Sequence, residues 1–479
     1  MCLLMGFGSR EPKPFLLSFG KIMPKFSYKD LPLAGVLIAG IVLAGIALIH
    51  SQTAPPPAQL PAPDSRYKAD VLVIVAHPDD DTGVSTFLAK AVFDQHKRTA
   101  VLFTTRGNSG PNVVGLEQSK ALADVREMEA RRSLAARGIT DVWFLSGQDT
   151  PTQDVLHSLE TLGHGAALEE TVRLIRLTRP DVIVTWLPAY VAGENHGDHQ
   201  AAGVLATEAF DLAGNPTFFP EQVSAPRYNR GISNYGEGLR PWQPKKLYFY
   251  SDSSHPDFLK GHGPTYLATE VSPSKHVPYS EINRLAWKDY ATQIDFSDQA
   301  LRSYAGAPEP LVLGKSLVSS PIEADVFTGI DDKPIPYAPA PNEMEAVPSG
   351  ISLVLGGPWD FYQRFYRAHG LSALQALLSP PQTALSDDQQ LWIPLLLRNN
   401  TATAVDIAVR QELPAGWKAI NPLGSYHVEA GAAWPIQLFF RAPATSGPKT
   451  VLRWTALNHG AKVGSAEITV FPEYDGVPQ

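Results

Sequence analysis

The chain has 479 residues, 44% of them hydrophobic and 18% charged, which suits two or three globular domains and excludes a disordered polymer. A formal net charge of −8 gives no general attraction to nucleic acid. The single cysteine, Cys2, excludes a disulfide framework and a thiolate-held metal, so any metal must rest on His, Asp and Glu.

Residues 1–30 are basic and irregular, with Lys21, Lys25 and Lys29. Residues 31–49 then run without a charge, over about the length that spans a bilayer. Lysines on the amino side place the start in the cytoplasm and the remainder outside. The expectation is a cytoplasmic tail over 1–30 and a transmembrane signal anchor over 31–50. The rest of the chain would then be periplasmic or extracellular, or secreted if the segment is cleaved. Ser51-Gln52-Thr53-Ala54 is a poor cleavage site, which favours the anchor. Met23 is a candidate start, because residues 1–22 look unlike any targeting segment. Residues 51–67 are rich in proline and read as a semi-rigid linker.

From residue 68 the pattern alternates. Strands are expected at Val71–Val75, Thr99–Phe103, 142–145 and 181–185, with helices at 84–95, 116–137, 167–178 and 199–212. That order implies an α/β fold: a Rossmann-like, mostly parallel sheet with helices on both faces. Residues 213–340 read as a loop-rich rim, with one strand at Lys246–Tyr250 and a helix near 279–293. A helical stretch at 358–378 closes this domain, assigned to 68–380. Beyond it, short strands at 391–398, 405–411, 425–429, 435–441, 450–457 and 467–471 predict a C-terminal all-β sandwich over 381–479.

The first strand runs into Ala76-His77-Pro78-Asp79-Asp80-Asp81. Pro78 has no amide hydrogen to give the sheet and ends the strand. The His and Asp side chains therefore gather at a strand's carboxyl end, where open α/β sheets bind ligands. Alone, the stretch also fits a solvated acidic turn. A second cluster, Glu194-Asn195-His196-Gly197-Asp198-His199, follows the fourth strand and belongs to the same edge, so the two can converge.

With these motifs the chain resembles the LmbE/PIG-L family of zinc-dependent N-acetylglucosaminyl deacetylases. Thr105-Arg106-Gly107-Asn108-Ser109-Gly110, Arg126 with Glu129, and Pro180-Asp181-Val182-Ile183-Val184-Thr185 add to the likeness, which covers 68–215 well and 240–300 loosely. Asp81 departs from it, where the family usually has Glu; so does Gly197, where proline is common. The resemblance implies a Zn2+ ion held by His77, Asp80 and His199, a donor set that matches open catalytic zinc sites. It implies Asp79 as general base, His196 as stabiliser of the tetrahedral oxyanion, and Asp198 as a partner that orients an active-site histidine. The implied substrate is an N-acetylated sugar or glycoconjugate.

Arg106 is a candidate for gripping substrate, and reads equally as a surface arginine. Arg126 and Glu129, three apart on a helix, read as an ion pair. Trp186 and Tyr190 fit sugar stacking or packing, and His255 and His262 fit the surface or the site mouth. Asp81 has no assigned role. Leu413-Pro414-Ala415-Gly416-Trp417 makes the C-terminal region resemble NEW3-type, immunoglobulin-like modules, which implies a glycan-binding or spacing unit. Two other readings stay open: a non-catalytic glycan-binding or scaffold protein on a degenerate hydrolase fold, and the same zinc chemistry on a different amide or ester. Oligomeric state is not set by these residues.

Overall fold

A computed structural model describes residues 62–190, 196–224, 237–251, 256–293, 305–343, 349–378, 380–385, 388–443 and 449–471. The apolar run at 31–49 lies outside them, and among the described residues no helix is long and apolar enough to cross a membrane.

Five parallel strands carry the α/β unit: β1 (Val71–Val75), β2 (Thr99–Phe103), β3 (Asp141–Phe144), β4 (Val182–Trp186) and β5 (Lys246–Tyr250), with β6 (Val312–Ser316) antiparallel at the edge. Their order is β3-β2-β1-β4-β5-β6, so the sheet is mixed rather than wholly parallel. Every residue of β1, β2, β4 and β5 is buried, as expected of strands covered on both faces. The helices are α1 (Ser85–Ala89), α2 (Ser119–Ala136), α3 (Val155–Leu162), α4 (His164–Thr178), α5 (Gly197–Leu212) and α6 (Tyr279–Trp287). Alternate residues of β1 serve opposite cores. Leu72 and Ile74 pack with α3, α4 and α5 residues such as Leu159, Val172 and Leu205. Val71, Val73 and Val75 pack with Leu88 and Leu134 of α1 and α2. The chain leaves β1 for β2 on one side, while β4 lies on the other. That reversal opens a crevice at the carboxyl ends of β1 and β4.

Helix α3 is absent from the sequence expectations, although Val155, Leu159 and Leu162 share its buried face. Asp154 caps it, accepting from Leu156 N at 2.9 Å, and Gly163 stops it in the left-handed region at φ 69°. The helix expected at 84–95 starts as α1 and continues as a π-turn over Lys90–Asp94.

The C-terminal region holds two sheets that share one apolar core, with Leu353 and Leu395 from one sheet against Val409, Trp454 and Ile468 from the other. Along Gln390–Asn400 burial alternates with period two, as for a strand with one face inward. The four-stranded sheet takes an edge strand, Gly350–Leu355, from ahead of residue 381. Helix Pro358–Ala368 follows that strand directly, and the strand lies in a stretch to which the sequence expectations assign no element.

Candidate active site

A cavity of about 540 Å³ opens at the crevice, walled by His77, Asp79, Asp80, Arg126, His196 and His199 among others. After β1 the chain turns sharply, with Asp80 N donating to His77 O at 3.1 Å and Thr82 N to Asp79 O at 2.8 Å. Asp79 sits at φ 135°, a strained backbone for a residue with a Cβ. The turn sends neighbouring carboxylates different ways.

Asp80 Oδ2 accepts from Ala76 N at 2.8 Å, His77 N at 2.9 Å and Trp186 Nε1 at 2.7 Å. This fixes the carboxylate and leaves Oδ1 facing the histidines. Oδ1 lies 3.6 Å from His77 Nδ1 and 3.2 Å from His199 Nε2, and those two nitrogens are 3.1 Å apart. A tetrahedral metal with bonds of about 2.0–2.2 Å needs ligand atoms about 3.3–3.6 Å apart. The three atoms come close to that spacing. Ring nitrogens of His77, His196 and His199 also form a group that could hold a metal, as do His77, Asp149, His196 and Asp198, each with ligand atoms within 4.8 Å. In the set with Asp80 the three ligand atoms lie 3.1–3.6 Å apart.

The other edge of His77 decides its tautomer. Nε2 lies 3.1 Å from Asp149 Oδ1 and 3.4 Å from Asp198 Oδ2. Carboxylates only accept, so Nε2 carries a proton, and Nδ1 is the nitrogen turned toward Asp80 and His199. Asp198 also accepts from Thr150 N at 2.9 Å and Thr150 Oγ1 at 3.1 Å, tying α5 to the loop after β3. Gly197 N donates to Thr152 O at 2.8 Å, and a Cβ at Gly197 would meet Ser158 Oγ at 2.5 Å and Asp154 O at 2.9 Å. Proline would lose that bond and meet those atoms, which accounts for glycine here. At Gly203 a Cβ would meet Trp186 O at 2.3 Å, so glycine lets α5 close on the end of β4 and bring its histidines to the cavity.

Electrostatics separate the two carboxylates. Burial and the charge of Asp80 push Asp79 up to about 8, although its side chain keeps some contact with the cavity. Burial works the same way on Asp80, but His199 and His77 outweigh it and hold that carboxyl well below its ordinary value. Burial, reinforced by His77 and His199, lowers His196 to about 4 and keeps it neutral. For His77 burial opposes protonation, yet Asp80, Asp149 and Asp198 together raise its affinity for a proton.

Several sequence expectations find other surroundings. Trp186 is buried beneath the site, its ring stacked on His199 at 4.2 Å between centroids and 3° between planes, so its face is taken by the histidine. Tyr190 lines a separate cleft. Arg106 is not among the cavity residues: its guanidinium is drawn to Asp124 Oδ1 at 2.7 Å and Glu127 Oε2 at 2.6 Å on α2. Arg126 reaches the cavity wall instead, donating to Pro111 O at 2.8 Å and to Gly107 O. Glu129 turns to Thr292, accepting from its N at 3.0 Å and its Oγ1 at 2.6 Å, so the expected Arg126–Glu129 pair is replaced by two separate anchors. Asp81 is fully buried and accepts from Arg137 and from the Tyr290 hydroxyl. His262 is not among the cavity residues, and His255, Glu194 and Asn195 lie outside the described residues. Asp149 is absent from the motifs singled out in the sequence. Its signal was its place just past β3, at the same carboxyl edge as both clusters.

Residues 72–210 match the family model described as PIG-L: GlcNAc-PI de-N-acetylase. A 1D-myo-inositol 2-acetamido-2-deoxy-alpha-D-glucopyranoside deacetylase 1 from Frankia alni is 31% identical over 189 residues, covering 36% of this chain and 59% of that protein. A deacetylase of the same description from Streptomyces avermitilis is 26% identical over 298 residues, 56% of this chain and 98% of its own length. The chain spans little more than half the length, 54–61%, of five of the curated relatives it matches. Among solved structures, the N,N'-diacetylchitobiose deacetylase from Pyrococcus horikoshii aligns over 60% of this chain and 94% of its own at 18% identity, with a TM-score of 0.38.

Proposed function

We propose, from the premise that residues 72–210 form a domain of the PIG-L family, that this chain is a metal-dependent deacetylase. Its reaction would be hydrolysis of the N-acetyl group of an N-acetylglucosamine-type sugar or glycoconjugate. The observation that carries this is the convergence of His77 Nδ1, Asp80 Oδ1 and His199 Nε2 at mutual distances of 3.1–3.6 Å beside a carboxyl of raised proton affinity. Donor atoms that close need a proton or a metal cation between them, and two nitrogens with one oxygen suit Zn2+.

When bound there, zinc would supply Lewis-acid chemistry, polarising the amide carbonyl and acidifying water. His77, Asp80 and His199 would hold the ion. Asp149 and Asp198 hold His77 in the tautomer that presents Nδ1, and Trp186 holds both Asp80 and the plane of His199. Asp79, as carboxylate, takes the proton from the attacking water and returns it to the leaving amine nitrogen. Neutral His196, at the cavity wall, donates a hydrogen bond to the oxygen that gains charge as the carbonyl becomes tetrahedral. Pushing two adjacent carboxyls apart in proton affinity suits one for metal and one for proton transfer.

The uncharged run at 31–49, with lysines before it, supports a membrane anchor that keeps the catalytic unit outside the cytoplasm. The experiment that tests the enzymatic reading is metal analysis of the purified protein together with acetate release from a panel of N-acetylated sugars and glycoconjugates. Stoichiometric divalent metal and chelator-sensitive acetate release are expected. Protein without metal, or metal-loaded protein that releases no acetate from any member, would overturn it.

A further inference from the structure

Two clefts of about 290 and 400 Å³ meet where helix Pro358–Ala368 and the C-terminal sheets adjoin the α/β unit. They share Tyr190, Trp359, Tyr362 and Gln382. We propose that they bind the non-reacting sugars of a neutral oligosaccharide whose terminal acetamido group occupies the metal cavity. The purpose of that binding rests on the deacetylase reading; the binding itself is measured apart from it.

The chemistry of the walls selects the ligand. Trp359, Tyr190 and Trp392 supply aromatic surface, and Trp392 is 63% exposed, set edge-on to Phe439 at 3.9 Å between centroids. An aromatic face, negative at its centre, accepts the C–H face of a pyranose ring. Amides both donate and accept, as sugar hydroxyls and acetamido groups do. The larger cleft places Gln153, Gln382 and Gln437 around those rings, and among the described residues the charged linings of the two clefts are Asp154 and Arg367 alone. Such walls suit a neutral polyol. Pockets between structural units are common ligand sites.

Gln382 gives an independent indication. It is 9% exposed, lines both clefts, and its Nε2 has no hydrogen-bond partner among the described residues. A buried donor left unpaired is unfavourable, and an oxygen of a bound sugar would satisfy it.

The clefts also connect to the metal cavity. Thr150 and Pro151 line that cavity, while Gln153 and Asp154 of the same loop line the larger cleft. On α5, Gln200 follows the cavity residue His199 and accepts a hydrogen bond from the Tyr362 hydroxyl in the cleft. One loop and one helix turn thus serve both sites.

The test uses the full-length protein, calorimetric titration, and β-linked oligomers of N-acetylglucosamine and of glucose from one to six units. Binding should tighten with chain length in at least one series. Trp392→Ala and Gln437→Ala, both at exposed positions that leave the fold intact, should weaken the longest oligomer by ~10-fold and leave the monomer unchanged. Gln382→Leu, which keeps volume and removes the amide, should do the same. Absence of binding in both series, or affinity indifferent to all three substitutions, overturns the proposal. Oligomer binding that is lost in the variants while the wild type releases no acetate would leave the cleft standing and remove the deacetylase reading.

Discussion

Asp149 takes the Nε2 edge of His77 at 3.1 Å, across the imidazole ring from Asp80 and His199. Ser109 holds that carboxylate in turn, its N donating to Oδ2 at 2.7 Å. Burial would neutralise Asp149, but the hydrogen bond from His77, that ring's charge and the Ser109 amide keep it ionised. An ionised acceptor on Nε2 raises the basicity of Nδ1 and fixes which nitrogen faces the metal position. Asp149→Asn should therefore lower metal affinity by about 10–100-fold while leaving the fold intact. Competition against a chelator of known affinity measures this, and an unchanged affinity would refute the role.

Asp79 touches the cavity but makes none of the close contacts that join His77, Asp80 and His199. Asp79→Asn is expected to bind metal as the wild type does and to lose at least ~10²-fold in turnover. The pH dependence has a definite sign. A carboxyl raised to about 8 by burial and by Asp80 is protonated, and useless as a base, at lower pH. A cation held by the neighbouring residues favours the ionised form and moves the midpoint down. The rate constant kcat/KM should thus fall on the acid side of a midpoint at or below 8, and the residual rate of Asp79→Asn should lack that limb.

Much of this site was legible because its chemistry lies in short, apolar-flanked motifs. A buried strand closed by Pro78 locates His77 and Asp80, and the matching edge of β4 locates His196, Asp198 and His199. Single residues whose partners are distant gave no such signal. Asp149 stands on a loop with no run of ligands around it. Arg106 and Arg126 look alike in sequence, and only the fold shows α2 carboxylates claiming the first while loop carbonyls claim the second. Strand Gly350–Leu355 was hidden for a related reason: it pairs with Gln390–Asn400 across an intervening helix, and strand pairing is not a local property.

The role of Asp81 follows from partners that no motif connects to it. Arg137 ends α2 and Tyr290 follows α6, and both reach Asp81 in a wholly buried cluster. Arg137 also donates to Ser85 Oγ at 2.9 Å, which in turn accepts from Trp287 Nε1 at 3.0 Å. Asp81 thus pins the turn that carries Asp79 and Asp80 to two helical segments. Asp81→Ala would leave the Arg137 charge buried without its partner, a change that costs about 3–5 kcal/mol. Denaturant unfolding should show that loss. A variant as stable as the wild type would mean that the pair contributes nothing net.

Glu309 offers a second pH test, this time of stability. It is buried against the start of α1, accepting from Thr86 N at 2.6 Å and Phe87 N at 3.0 Å. Those amides favour the ionised form, but burial exceeds them and raises the carboxyl from 4.5 to about 7. A folded state that binds the proton more tightly than the unfolded chain is favoured at low pH. Its contribution is therefore full below 4.5 and is lost as pH rises through about 7, by up to about 3 kcal/mol in all. Glu309→Gln cannot titrate, so the difference in unfolding free energy between wild type and variant should shift in that direction between pH 5 and 7.5. Parallel pH profiles for the two proteins would show instead that the α1 amides keep Glu309 ionised throughout.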